Sequence, residues 1–304
     1  MIPDSFDPKT LYEGLVEHGL IVPTAQAGTF GRGAVFEKVL ERFNGLVTEL
    51  SKNDGAEIYT FPPVIDRGIL EKVHYMDSFP HLCGSVHSFF GNGLEALRLA
   101  ERVNSGEPWG DLLGQTGVTL NPAACYPVYP TFTGTVPPEG RLVTMTNWVY
   151  RHEPSHEPTR MQSFRVREFV RVGTPDQVIS WRDMWLDRGV KLLTSLGLPA
   201  TPDVASDPFF GRGGKILAEN QKQAKLKFEV LVPVISKENP TAVCSFNFHQ
   251  THFGDTFDIK TPDGNAANTA CLGFGLERVT MALFKHHGFK PENWPAEVRQ
   301  QLWS

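Results

Sequence analysis

Apolar residues recur at helical spacing over positions 34–50. Val35, Phe36, Val39, Leu40, Phe43, Leu46, Val47 and Leu50 fall on one side of a 3.6-residue turn, which predicts a long amphipathic helix. Asn53-Asp54-Gly55 ends it, and residues 56–61 read as a strand stopped by Pro62-Pro63, since proline cannot donate to a ladder. Residues 142–152 and 161–172 predict two longer strands joined by the polar loop 154–160, an antiparallel pair with a mobile tip. Ser180, with Asp183 three residues on, marks a helix start. Trp181, Trp185, Leu192, Leu193 and Leu196 fill that helix and Gly197 stops it. Further strands are expected at 226–234 and 242–249. In the second, Cys244, Phe246 and Phe248 point to a core, while Ser245, Asn247 and His249 point the other way, as the floor of a site would. Residues 273–284 read as a glycine-led helix with Leu272, Leu276, Val279 and Leu283 on one side. Antiparallel strands with flanking helices and no βαβ alternation favour an α+β domain.

The chain has 304 residues, 40% of them apolar, enough for a large core. Repeats and flexible linkers are absent, so residues 1–304 are expected to form one domain, with 1–32 as an N-terminal lead and 285–304 as a C-terminal tail. The formal net charge of -5 supplies no global basic field for nucleic acid. Met1-Ile2-Pro3-Asp4 lacks the basic and apolar regions of a secretory signal, and no apolar run approaches the ~20 residues that span a bilayer. A soluble cytoplasmic protein without a membrane partner is expected. The four cysteines, Cys83, Cys125, Cys244 and Cys271, are too scattered for a disulfide framework.

Gly211-Arg212-Gly213-Gly214-Lys215 lacks the GxxxxGK spacing and the following hydroxyl residue of a phosphate loop, and reads as a glycine-rich surface turn. Arg151 and Glu153 alternate on one strand and share a face, Arg160 sits in the adjoining loop, and Arg278 opens the last long helix. Converging guanidinium groups suit a triphosphate, because each binds oxygens bidentately and never loses its charge. Any one of them alone reads as an ordinary solvated or paired arginine. Glu168 shares its strand face with Phe164, Val166 and Val170, where an unpaired carboxylate is costly, so it needs a cationic partner. A metal is one candidate. Cys125 and Cys271 could add thiolates, and two thiolates with one carboxylate suit tetrahedral zinc with an open fourth position. On spacing alone, buried cysteines and an ion-paired glutamate remain the simpler account. His249 and His252 fall on opposite strand faces and read as hydrogen-bonded floor or core histidines.

Taken together, these segments resemble the three signature motifs of class II aminoacyl-tRNA synthetases. The helix from Gly33 and the strand ending at Pro62-Pro63 look like motif 1. Tyr150-Arg151-His152-Glu153, the Arg160 loop and Phe164-Arg165-Val166-Arg167-Glu168-Phe169 look like motif 2, and Gly273-Phe274-Gly275-Leu276-Glu277-Arg278 looks like motif 3. Cys125, Glu168 and Cys271 are similar in placement to the zinc ligands of the methanogen-type seryl-tRNA synthetases. About thirty residues precede the motif 1 helix and about twenty-five follow Arg278, leaving no room for a tRNA-binding or anticodon-binding module. That points to their truncated relatives, the amino acid–carrier-protein ligases.

The resemblance implies an antiparallel sheet flanked by helices, in a homodimer. It implies that Arg151 holds the α-phosphate of ATP, Glu153 the adenine side, and Arg278 the γ-phosphate. Arg160 and Met161 would touch ATP from the motif 2 loop, and Ala242, Val243, Cys244 and Ser245 would line the nucleotide. Cys125, Glu168 and Cys271 would hold Zn2+, whose open position takes the amino group of the substrate, and Mg2+ would accompany ATP. Asp207 and Phe209 would lie near the amino acid and the pantetheine approach. The implied reaction forms an aminoacyl-adenylate from a small amino acid, glycine or alanine, and passes it to the phosphopantetheine thiol of a carrier protein. Rival readings are a tRNA ligase with the same site, a non-catalytic paralogue that binds amino acid or ATP, and a zinc hydrolase.

Overall fold

The computed structural model describes residues 7–303, so the Met1-Ile2-Pro3-Asp4 stretch lies outside the described residues. Its centre is a seven-stranded sheet. In spatial order the strands are Thr201–Val204, Lys227–Val232, Thr241–Gln250, Asn268–Gly275, Ser163–Gly173, Arg141–Tyr150 and Glu57–Ile58. Every neighbouring pair is antiparallel except the edge strand Glu57–Ile58, which runs parallel to Arg141–Tyr150. The two hairpin strands pair over ten residues, from Arg141 opposite Val172 to Tyr150 opposite Ser163. They form for the reason the pattern suggests: alternate residues are apolar, and both faces are covered.

One face carries the main core. Phe36, Val39, Leu40, Phe43 and Val47 of the helix Ala34–Ser51 pack there with Phe169, Phe274, Phe246 and Leu272 of the sheet. Trp185 from the helix Pro175–Ser195 is buried against Phe169, with ring centroids 4.9 Å apart. The opposite face carries a second core of Val143, Met145, Val149, Val170, Val172 and Cys271. It is roofed by Tyr129, Phe253 and Phe257, and Cys125 belongs to it. Period-two alternation along the strand Ser163–Gly173 therefore sends Phe169 to the helix side and Glu168 to the second core.

Several boundaries differ from the expected ones. The helix placed at Ser180 begins five residues earlier. Thr174 caps it and exchanges hydrogen bonds with Gln177, and Pro175 occupies the first turn, where its missing N–H costs nothing. Gly273-Phe274-Gly275 do not open a helix. They end the buried strand Asn268–Gly275, and the helix begins at Leu276. The glycine run 211–214 is not a surface turn but the first turn of the helix Gly211–Gln223. Among the described residues, both the lead and the tail pack on the core. Leu11 and Leu15 of the helix Pro8–Glu17 are buried in the main core, as are Trp294, Val298 and Leu302 near the C-terminus. A smaller sheet of Val64–Asp66, Gly114–Leu120 and Ser85–Ser88 stands beside the second core.

Candidate active site

Cys125, Glu168 and Cys271 come together. Their ligand atoms lie within 4.8 Å of one another, and all three residues are buried. Glu168 and Cys271 arrive from adjacent strands of the central sheet, and Cys125 from the turn after Gly114–Leu120. Burial holds the Glu168 carboxyl above its ordinary value, against the opposing pull of the two thiols and Arg151. The Cys125 thiol is held well above its ordinary value, first by its hydrogen bond with Cys271 and then by burial. The Tyr129 hydroxyl is buried beside them and held well above its ordinary value, first by burial and then by Cys125, Cys271 and Glu168. Two sulfurs and a carboxylate form a donor set that fits a soft divalent cation such as zinc.

The arginines converge beside this trio. The Arg278 guanidinium is half-buried. It donates from Nε to the Thr159 carbonyl and from Nη1 to the Ala242 carbonyl, each at 3.0 Å. Burial, then Arg151, push it below its usual value, while Glu153 and Glu229 oppose that shift and Arg160 adds to it. One half-buried cation thus senses three other candidate groups: Arg151, Glu153 and Arg160. Arg160 in turn bonds Glu153 at 3.3 Å, and Arg151 lies over the Phe164 ring at 5.9 Å and donates to the Pro122 carbonyl. Gly273 packs closely against the strand that carries Glu168. A Cβ there would meet Val166 Cγ1 at 2.8 Å and the Glu168 carboxyl carbon at 3.9 Å.

No protein-family model matches the chain. Among curated proteins it is 43% identical over 277 residues to amino acid–acyl-carrier-protein ligase 1 of Bradyrhizobium diazoefficiens, covering 90% of this chain and 85% of that one. Ligase 2 of the same organism is 42% identical over the same length. The chain belongs to the amino acid–acyl-carrier-protein ligase family. It is also 28% identical to the type-2 serine–tRNA ligase of Methanocaldococcus jannaschii, of whose length it spans only 52%. Among solved structures, M. kandleri SerRS superposes with a TM-score of 0.82 at 23% identity, covering 96% of this chain and 60% of that one. The Giardia lamblia prolyl-tRNA synthetase superposes at 0.71 and 14% identity, over 98% of this chain and 56% of that one. These likenesses establish the class II synthetase catalytic-core fold.

Not every residue singled out in this ligase faces open space. Met161 is buried in the main core, its sulfur accepting a weak bond from Arg32. Val243 and Cys244 are also buried, so that stretch offers the Ala242 carbonyl and the half-buried Ser245 instead. Asp207 is held by Lys227 Nζ at 2.6 Å and Gln221 Nε2 at 2.8 Å. Phe209 stacks on Phe79 at 5.2 Å. An aromatic run from Tyr126 through Tyr75 and Phe79 links the trio to Phe209.

Sequence reasoning missed Lys227 and Glu229. They alternate on the strand Lys227–Val232, and Glu229 sits opposite Ser245 while Lys227 sits opposite Asn247. Two charges inside a strand next to a polar-faced strand were the available signal. Burial raises Asp207, but Lys227 and Gln221 outweigh it and hold its carboxyl below the ordinary value. A depressed acid contributes stability above its unfolded pKa and loses it as pH falls through the folded one. Lys227→Met is therefore expected to cost about 1 kcal/mol at pH 7, because the Asp207 carboxylate it leaves without a cation is 32% exposed. The gap to wild type narrows as pH drops below about 4. Urea unfolding at both pH values checks this, and an equal gap at each would remove the pair from the account.

Proposed function

We propose that this ligase condenses a small amino acid, glycine or alanine, with ATP to give aminoacyl-adenylate and pyrophosphate. The phosphopantetheine thiol of a carrier protein then attacks the aminoacyl carbonyl, giving a thioester as the bond to AMP breaks and AMP leaves. The observation that carries the reading is the buried Cys125–Glu168–Cys271 trio lying beside the convergent Arg151 and Arg278. The family membership supports the carrier as acceptor. The trio fits Zn2+, for which it would supply three ligands and leave one position for a substrate amine. When bound, the ion supplies an electrophilic position that selects a neutral α-amine over a hydroxyl or a blocked amine.

The chain's own residues do the rest. The amino acid carboxylate attacks the α-phosphorus of ATP, and the bond to the pyrophosphate oxygen breaks. Arg151 at the α-phosphate and Arg278 at the γ-phosphate offset the charge that spreads over the phosphoryl oxygens, so positioning and electrostatics supply most of the acceleration. Glu153, tied to Arg160, holds the adenine side. Glu229 is the half-buried carboxylate, paired with Lys227 at 3.4 Å, that bears on Arg278; with Ser245 opposite, it would supply oxygen ligands of the kind that suit Mg2+ accompanying ATP. Phe79 and Phe209 border the approach of the thiol. The helix Ala34–Ser51 and the edge strand Glu57–Ile58, with Ile58 80% exposed, support a homodimer across this edge.

Amino-acid-dependent ATP–pyrophosphate exchange tests the reading. Glycine or alanine should support exchange, and a zinc chelator should abolish it. The purified protein should then load a phosphopantetheinylated carrier but not total tRNA. Exchange that is indifferent to the chelator removes the metal. Loading of tRNA with no loading of carrier moves the ligase to the seryl-tRNA synthetase side. Absence of exchange with any amino acid, in folded zinc-loaded protein, favours the non-catalytic paralogue.

A further inference from the structure

The Cys271 sulfur has two nitrogen neighbours outside the trio. Asn247 Nδ2 donates to it at 3.3 Å, and His249 Nε2 lies 3.6 Å away. Register explains how two residues of one strand reach a single sulfur. Asn247 sits directly opposite Cys271. Regular pairing would leave the side chain of residue 249 two positions along, roughly 7 Å further down the strand. Instead the ladder slips between Phe248 and Gln250: Phe248 pairs with Ala270, Gln250 pairs with Thr269, and His249 is the extra residue. Gln250 takes a positive φ of 54° to complete the bulge. A bulge bends its strand and re-aims one side chain. Here it turns His249 back toward Cys271.

The imidazole is then fixed in place. Its Nδ1 lies 3.1 Å from the Thr269 hydroxyl, and Phe253 meets its ring edge-on at 4.9 Å. His249 does not join the group whose ligand atoms lie within 4.8 Å of one another, so it sits outside the three-ligand cluster. The Thr269 hydroxyl lies against Nδ1 and leaves Nε2 facing the sulfur. Asn247 presents an N–H to Cys271, and the His249 tautomer protonated at Nε2 adds a second.

We propose that Asn247 and His249 are positioning residues that form an N–H···S cradle for the Cys271 thiolate, fixing its orientation and its hold on the metal. The proposal rests on the zinc reading of the trio. Groups behind a metal ligand orient it and tune its donor strength, and their loss lowers affinity or activity by ~10- to 100-fold. Hydrogen bonds to a thiolate also draw electron density from its lone pairs, which leaves the metal a better acceptor for the substrate amine.

The test uses the full chain, stripped of metal and titrated with cobalt(II), whose sulfur-to-metal charge-transfer bands report on the thiolates. Wild type should bind the ion tightly and show those bands. Asn247→Leu and His249→Leu should each bind it ~10-fold more weakly in chelator competition, with the bands moved to longer wavelength. His249→Gln places an amide N–H near the Nε2 position and should restore both. Unchanged affinity and spectrum in both leucine variants overturn the cradle. A change of coordination number in the d–d bands of His249→Leu would make His249 a ligand and overturn it equally. Wild-type protein that binds no cobalt or zinc would instead defeat the metal reading itself.

Discussion

Cys271→Ala is expected to strip the ligase of its metal and abolish amino-acid-dependent pyrophosphate exchange, while the fold survives. The loss should exceed the ~10- to 100-fold that follows a change behind a ligand, because a ligand itself is gone. The fold should tolerate it for a physical reason. Cys271 contributes one sulfur to the second core, and its backbone ladder to Asn247 and Val170 does not depend on the side chain. A cavity of that size costs about 1 kcal/mol. With Cys271 gone, Cys125 and Glu168 still face each other, and two ligands hold zinc far less firmly than three. Metal content by atomic spectroscopy, exchange rate and circular dichroism read the three parts separately. A variant that keeps full zinc and full exchange would show that the trio is only a buried polar cluster. One that keeps zinc but loses exchange would give Cys271 a role other than ligation.

That trio marks how much of the site was legible. Glu168 could be read as anomalous from its own strand, because a carboxylate stood on the face of Phe164, Val166 and Val170. Cys125 and Cys271 carried no such local mark. Their convergence is set by the pairing of Asn268–Gly275 with Ser163–Gly173 and by a turn entering from the smaller sheet, and long-range pairing leaves no trace in periodicity. The family resemblance supplied what the pattern could not. Legibility of the fold followed the same division. The helix Ala34–Ser51 and the hairpin strands were clear because period and length agreed over many residues. The strand Asn268–Gly275 was not, because all but its last residue are buried and a continuous small-and-apolar run shows no alternation. The helix from Pro175 was begun too late because its first turn, Pro175-Asp176-Gln177, reads as a loop unless the Thr174–Gln177 cap is recognised. Lys227 and Glu229 pair with each other at 3.4 Å, and went unnoticed because Asp207 and Arg278, the other charges they bear on, come from other elements.

Arg278→Ala is expected to reduce adenylate formation by about 10³-fold or more, the range an arginine contributes at a transferring phosphoryl group, and to leave zinc bound. The structure explains why a single residue should matter so much. Arg278 is anchored by the Thr159 carbonyl from the loop before Ser163–Gly173 and by the Ala242 carbonyl of the strand Thr241–Gln250. Two of its five N–H donors are thereby committed, and the remaining three are left for phosphate oxygens. The same two bonds couple the loop to the helix Leu276–His287, so in the proposed mechanism the guanidinium would both bind the nucleotide and tie the Arg160 loop down. Arg278→Lys separates these roles. It keeps a positive charge but lacks the planar fork, so it cannot hold both carbonyls and a phosphate at once. If charge alone served, lysine would restore most of the rate. If the anchored fork is what counts, lysine should recover little, and KM for ATP should rise with the fall in kcat because the loop is released too. Zinc content unchanged in both variants would keep the metal centre and the phosphate clamp as separable halves of the site. Near-normal exchange in Arg278→Ala would take the motif 3 arginine out of the mechanism altogether.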